Sequence, residues 1–137
     1  MKSWVLDTSA LIRFYVPDGP MPDDLEHAIE LGYQGDALLI VPELALAEAG
    51  QVLLKKERAG LISNEEADTI LKSILSIPLE IHGHRDILLD AVSIARKSRI
   101  SVYDALFVVL SQKQHAPLIT ADDQLKKCFS NASSRTL

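Results

Sequence analysis

Four short apolar runs punctuate the chain, at residues 3–7, 37–41, 79–82 and 117–120. Within the second, Leu38-Leu39-Ile40-Val41 shows no alternation with polar residues. A continuous apolar run of this length fits a strand buried on both faces, as in a parallel sheet. The stretches between the runs carry helical signals. A short helix follows Thr8, and a second covers 23–31. Pro42 is placed to open a long helix at its first turn, where proline is tolerated. That helix runs to about Arg58, and Gly60 supplies the stop signal. Ser63-Asn64-Glu65-Glu66 is a capping box that starts the next helix, and Pro78 bounds its far end. Further helices are expected over 86–97, from near Val102 to near His115, and, briefly, after Asp122.

Strands alternating with helices predict an α/β fold, a three-layer α/β/α sandwich around a central, mostly parallel sheet. The two helices joined at Gly60 and Leu61 form an αα-hairpin inserted between strands. The tail 130–137 is polar and small, and reads either as disordered or as a weak edge strand.

A length of 137 residues suits one domain, 1–137, and no internal repeat or linker divides it. An apolar share of 47% supports a core without disulfides. Cys128 is the only cysteine, which excludes an intrachain disulfide and fits a reducing cytosol. It reads as a small buried or half-buried residue. No basic-then-apolar leader precedes the strand around Trp4, and no run is long enough to span a membrane. The expectation is a cytoplasmic protein with no membrane partner. The net charge of -5 by itself argues against a nucleic-acid binder. That objection weakens if acids cluster around dications, each of which offsets two charges and presents a positive centre to phosphate.

Connectivity brings several acids to one edge. In an open parallel sheet, ligands bind at the carboxyl ends of the strands. Asp7 ends the first strand, and Asp122 and Asp123 follow the last. Glu48 lies in the second turn of the helix that leaves the second strand. Asp104 starts the helix that returns the chain to the bottom of the sheet. Gathered carboxylates raise one another's pKa or require a cation. Oxygen ligands without His or Cys select a hard dication such as Mg²⁺ or Mn²⁺. Such ions activate water and neutralise a phosphodiester.

Each acid also has a plainer role. Asp7 is placed to cap the helix after Thr8. Ser101-Val102-Tyr103-Asp104 has the form of a capping box, as does Thr120-Ala121-Asp122-Asp123, with Asp123 in the reciprocal position. Glu48 is harder to explain as structure. It lies beyond any cap, its neighbours at i-4, i-3 and i+4 are Leu44, Ala45 and Val52, and no cation stands at i+4. The plain alternative is a solvated glutamate on a partly exposed helix.

The chain resembles the PIN domain family, and within it the VapC-type toxins of toxin–antitoxin pairs. The matching stretches are Val5-Leu6-Asp7-Thr8-Ser9-Ala10-Leu11, Glu48, Ile100-Ser101-Val102-Tyr103-Asp104-Ala105-Leu106 and Pro117-Leu118-Ile119-Thr120-Ala121-Asp122. They keep the family's order and span almost the whole chain. The resemblance implies a Mg²⁺- or Mn²⁺-dependent endoribonuclease whose metal-binding and catalytic acids are Asp7, Glu48, Asp104 and Asp122. It implies accessory hydroxyls at Thr8, Ser9 and Thr120, with Asp123 as an accessory acid. It also implies an RNA substrate, a homodimer and a cognate antitoxin protein. The family often ends in a fifth strand, and 129–137 gives little sign of one, which leaves the sheet edge open.

Arg13 and the run Arg96-Lys97-Ser98-Arg99 are candidate RNA-phosphate contacts. The run reads more plainly as a solvated helix end that complements the helix dipole. His82-Gly83-His84 reads as a turn rather than a metal site, since no Cys or third His lies nearby. The αα-hairpin residues Leu53, Leu54, Leu61, Ile62, Ile70 and Leu71 offer either a partner surface or packing on their own sheet. Two other functions fit the same residues: a PIN-type nuclease for RNA processing or structured DNA, and a catalytically silent metal-binding or protein-interaction module. A receiver-like signalling module fits poorly, because Asp7 is followed by Thr8 and no lysine follows a fifth strand.

Overall fold

The computed structural model describes the backbone of residues 1–136 and the side chains of residues 1–129. Four strands appear where the apolar runs place them: β1 (Lys2–Leu6), β2 (Ala37–Pro42), β3 (Leu79–His82) and β4 (Leu118–Ile119). They form one sheet in the order β3-β2-β1-β4, and every pairing is parallel. The register sets Trp4 beside Leu39 and Val5 beside both Ile40 and Leu118.

Among the described residues, seven helices connect and flank the strands: α1 (Thr8–Tyr15), α2 (Leu25–Gln34), α3 (Leu44–Arg58), α4 (Asn64–Ser76), α5 (Leu88–Ser98), α6 (Val102–Gln114) and α7 (Asp123–Thr136). Consecutive strand residues face opposite sides of a sheet. Leu39, Ile40 and Val41 are all buried, so both faces of β2 are covered along these residues, whereas Leu38, expected to be buried with them, is exposed near the start of the strand. Helix α2 lies on the Trp4 and Leu39 side: the Trp4 ring meets His27 edge-on, and Gly32 abuts the Leu39 side chain. Helix α6 is buried on all sides from Ala105 to Ser111, as a helix enclosed by other elements must be. Among the described residues, no helix is long and apolar enough to cross a membrane. Cys128 is buried, as expected.

Three expectations need correction. Pro42 is the last residue of β2, not the first turn of α3. Pairing with β1 has already ended at Ile40, so the chain at Pro42 has a strand neighbour on one side only. A missing N–H is tolerated there as on an edge strand. Second, the helix after Asp122 is not short; α7 continues to Thr136. Third, the backbone of 130–136 is therefore helical and adds no fifth strand. Leu137 lies outside the described residues. The Ser63 capping box forms as read, with both reciprocal bonds present, and Gly60 takes the left-handed φ of 76° that closes α3.

The strand order fixes where a ligand can enter. From β1 the chain moves to β2 and on to β3, then returns past β1 to β4. The direction reverses between β1 and β4, which makes their carboxyl ends the switch point at which open parallel sheets bind ligands.

Candidate active site

Asp7 follows β1 at this switch point. It is 4% exposed, and both of its oxygens are engaged. Oδ1 accepts from the Ala10 amide at 2.8 Å, which caps α1, and from the Ser9 hydroxyl at 2.7 Å. Oδ2 accepts from the Thr120 hydroxyl at 2.5 Å. Cap and site residue thus coincide. Burial pushes the carboxyl up from its ordinary 3.8 to about 6. The bonds from Thr120, Ala10 and Ser9 oppose that rise, and the nearby charge of Asp122 adds to it.

The end of β4 is tied to the start of α1 by hydroxyls. Ser9 Oγ lies 3.2 Å from Thr120 Oγ1 and accepts from the Ala121 amide at 2.9 Å. Thr120 accepts from the Asp122 amide at 3.0 Å. The expected capping box over 120–123 does not form. Asp122 itself caps α7, its Oδ1 accepting from the Gln124 and Leu125 amides at 2.9 and 3.2 Å. Asp123 is instead the first residue of the helix. A carboxylate at the cap position outcompetes the threonine two residues earlier, because its own side chain reaches the first free amides.

Glu48 projects from the second turn of α3, half-buried, and accepts from the Thr8 hydroxyl at 2.9 Å. Burial raises its pKa, the Thr8 bond opposes this, and the Asp104 charge adds to it. Asp104 stands in the first turn of α6, where its amide donates to Ser101 at 3.0 Å. Burial and then the Asp122 charge raise its pKa, against the Ser101 hydroxyl.

All four carboxylates line one cleft of about 300 Å³, together with Thr8, Ser9 and Arg13. Thr120 sits behind Asp7 and, with Asp123, lines a neighbouring groove. Lys97 and Arg99 line a separate hollow beside Gln124, and Arg96 is exposed on the same helix end. Sequence reasoning missed two lining residues of opposite charge, Lys56 and Asp18. A signal existed for Lys56: Glu48, Val52 and Lys56 recur every four residues and share one helix face.

The donor set fits a hard dication by its chemistry, since it contains only carboxylate and hydroxyl oxygens. The Asp122 charge raises the pKa of Asp7 and of Asp104, and the Asp104 charge raises that of Glu48; a dication would relieve that repulsion. Among the described residues, however, no three acid, His or Cys side chains already stand grouped as closely as metal ligands do. The carboxylates line the cleft without closing into a cage.

The family model described as PIN domain matches residues 4–128. The chain belongs to the PIN domain family. This PIN domain is 32% identical over 127 residues to Ribonuclease VapC3 of Pyrobaculum aerophilum, covering 91% of the chain and 93% of that protein. It is 29% identical over 86 residues to Ribonuclease VapC3 of Mycobacterium tuberculosis, covering 63% of the chain and 61% of that protein. Its fold matches the crystal structure of PAE2754 from Pyrobaculum aerophilum with a TM-score of 0.72 at 22% identity, over 93% of the chain and 79% of that one. It also matches VapBC2 from Rickettsia felis, bound to a DNA fragment from their promoter, with a TM-score of 0.65 at 19% identity over 92% of each chain.

Proposed function

We propose that this PIN domain is an endoribonuclease that hydrolyses RNA phosphodiester bonds with Mg²⁺ or Mn²⁺, acting as the toxin of a toxin–antitoxin pair. The observation that carries the reading is the cleft at the sheet's switch point, lined at once by Asp7, Glu48, Asp104 and Asp122. Kinship to Ribonuclease VapC3 supplies the substrate class. In this reading all four acids bind metal and are catalytic. Bound among them, the dication would supply an activated water and neutralise the phosphate's charge.

The protein's own contribution is orientation. Ser9, Thr120 and the Ala10 amide hold the Asp7 carboxylate from three sides, and Thr8 holds Glu48. Asp122 is fixed by the first amides of α7, so its carboxylate does not turn freely. Tethered side chains such as these lose little conformational freedom when a ligand binds, which favours a fixed reaction geometry. Thr8, Ser9, Thr120 and Asp123 are accessory in this scheme, and Arg13 contributes a cation to the cleft wall. The partners are RNA, a second copy of the chain and a cognate antitoxin protein, in the cytoplasm.

The test is cleavage of a mixed-sequence RNA by purified protein with Mg²⁺ or Mn²⁺, with EDTA, and by an Asp7→Asn variant. Metal-dependent cleavage by the wild type and its loss in the variant are expected. Equal cleavage by the two proteins refutes the reading.

A further inference from the structure

The cleft has an acidic end and a basic end, and the two helices that flank it share the same polarity. On α1, Asp7 at the cap is followed by Arg13; on α3, Glu48 is followed by Lys56. At 1.5 Å of rise per residue, these cations stand about 9 Å and about 12 Å further along their helices than the acids. Both line the cleft. The Lys56 side chain is only 19% exposed.

Neither cation is paired with the four site acids. Lys56 forms an ion pair with Asp18, and Arg13 Nη1 donates to the Pro20 carbonyl at 2.8 Å. Both acceptors sit on the segment between α1 and α2. Pro17, Pro20 and Pro22 restrict that segment's backbone, so it presents its oxygens at defined places. Carboxylate and carbonyl oxygens accept from a cation as the oxygens of a phosphate do.

We propose that Lys56 is a substrate-positioning residue that binds an RNA phosphate flanking the scissile bond, with Asp18 as the counter-ion that the phosphate displaces. This rests on the ribonuclease reading and goes beyond it by assigning the cleft's direction. The RNA strand runs from the four acids toward the Arg13 and Lys56 end. Asp18, 46% exposed, is the more readily solvated partner, so exchange leaves it in water while Lys56 stays in the cleft. Because Asp18 competes with substrate, the two members of one ion pair have opposite effects on binding.

The experiment measures kcat and KM on a mixed-sequence single-stranded RNA with Mg²⁺, at several salt concentrations, for the wild type, Lys56→Ala, Lys56→Arg and Asp18→Asn. Lys56→Ala is expected to raise KM about tenfold with kcat largely kept, the loss of one charge-assisted contact. Its log KM against log salt should also flatten by about 0.7, the slope lost with one phosphate contact on a single strand. Lys56→Arg restores KM, and Asp18→Asn lowers it by about twofold or more. If Asp18→Asn raises KM as Lys56→Ala does, the pair is only a strap on the segment and the proposal falls. An unchanged KM and salt slope in Lys56→Ala also overturns it, while leaving the ribonuclease reading intact. A wild type without metal-dependent cleavage overturns both.

Discussion

Asparagine in place of Asp7 tests how much the buried carboxylate costs the metal-free protein. Asn keeps the capping ability of position 7, since it is as good an N-cap as Asp, and it removes the charge. In the wild type the Asp7 pKa rises from 3.8 unfolded to about 6 folded, mainly through burial. The folded state therefore holds the proton more tightly. Between those two values the native protein binds more protons than the unfolded chain, so stability falls as pH rises through the window and then levels off. At 1.36 kcal/mol per pH unit, the total is about 3 kcal/mol. About 2 kcal/mol of it falls between pH 4.5 and pH 8, because part of the loss is complete by pH 4.5. Asp7→Asn has no such loss. Urea unfolding in EDTA at pH 4.5, 6 and 8 should show the variant gaining on the wild type by about 2 kcal/mol over the range. The burial argument is refuted if the difference between the two proteins is the same at all three pH values.

Two further substitutions probe the supports of the site and the sheet. Thr120→Val keeps the side chain's shape but removes the donor to Asp7 Oδ2 and the acceptor of the Asp122 amide. RNA cleavage should fall about tenfold or more with the fold retained. Since Thr120 holds the Asp7 pKa down, the acid limb of the pH–rate profile should move to higher pH; an unmoved limb contradicts this. Gly32→Ala adds a Cβ that would stand 2.4 Å from Leu39 Cδ1 and 2.9 Å from its Cγ. Thermal melts should show a loss of about 1–3 kcal/mol from overpacking, despite alanine's better helix propensity. A stabilised variant would show that α2 lies on β2 less closely.

The elements that carry their own local signals were legible in the sequence. The unalternating run at Leu38 to Val41 announced a strand covered on both faces, which holds from Leu39 onward though not at Leu38, and Ser63 with Glu66 announced a helix start. Glu48 stood out because it is an acid in mid-helix with apolar neighbours and no cation one turn on. The misreadings occurred where one residue type serves two purposes. Pro42 lacks an N–H, which suits the first turn of a helix and equally a strand end that has lost one neighbour. Thr120 and Asp122 are both good caps, and only the path of the chain decides which one meets the free amides. The extension of α7 to Thr136 has a different origin: small polar residues carry little periodicity, so the length of that helix was not visible. Lys56 was not legible as a partner of Glu48 because it lies two turns away along α3, beyond the single turn over which helical ion pairs form, whereas the cleft extends two. Asp18 lies on a proline-rich connection whose path follows from tertiary structure alone.

In the proposed mechanism Asp7, Glu48, Asp104 and Asp122, brought from four stretches of chain to one cleft, hold a divalent ion. Crystals soaked in Mn²⁺ and measured for anomalous scattering test it directly. A peak is expected inside the cleft within coordination distance of Asp7 and at least one of the other three. Mn²⁺ found only at the outer surface, with none beside Asp7, would contradict it.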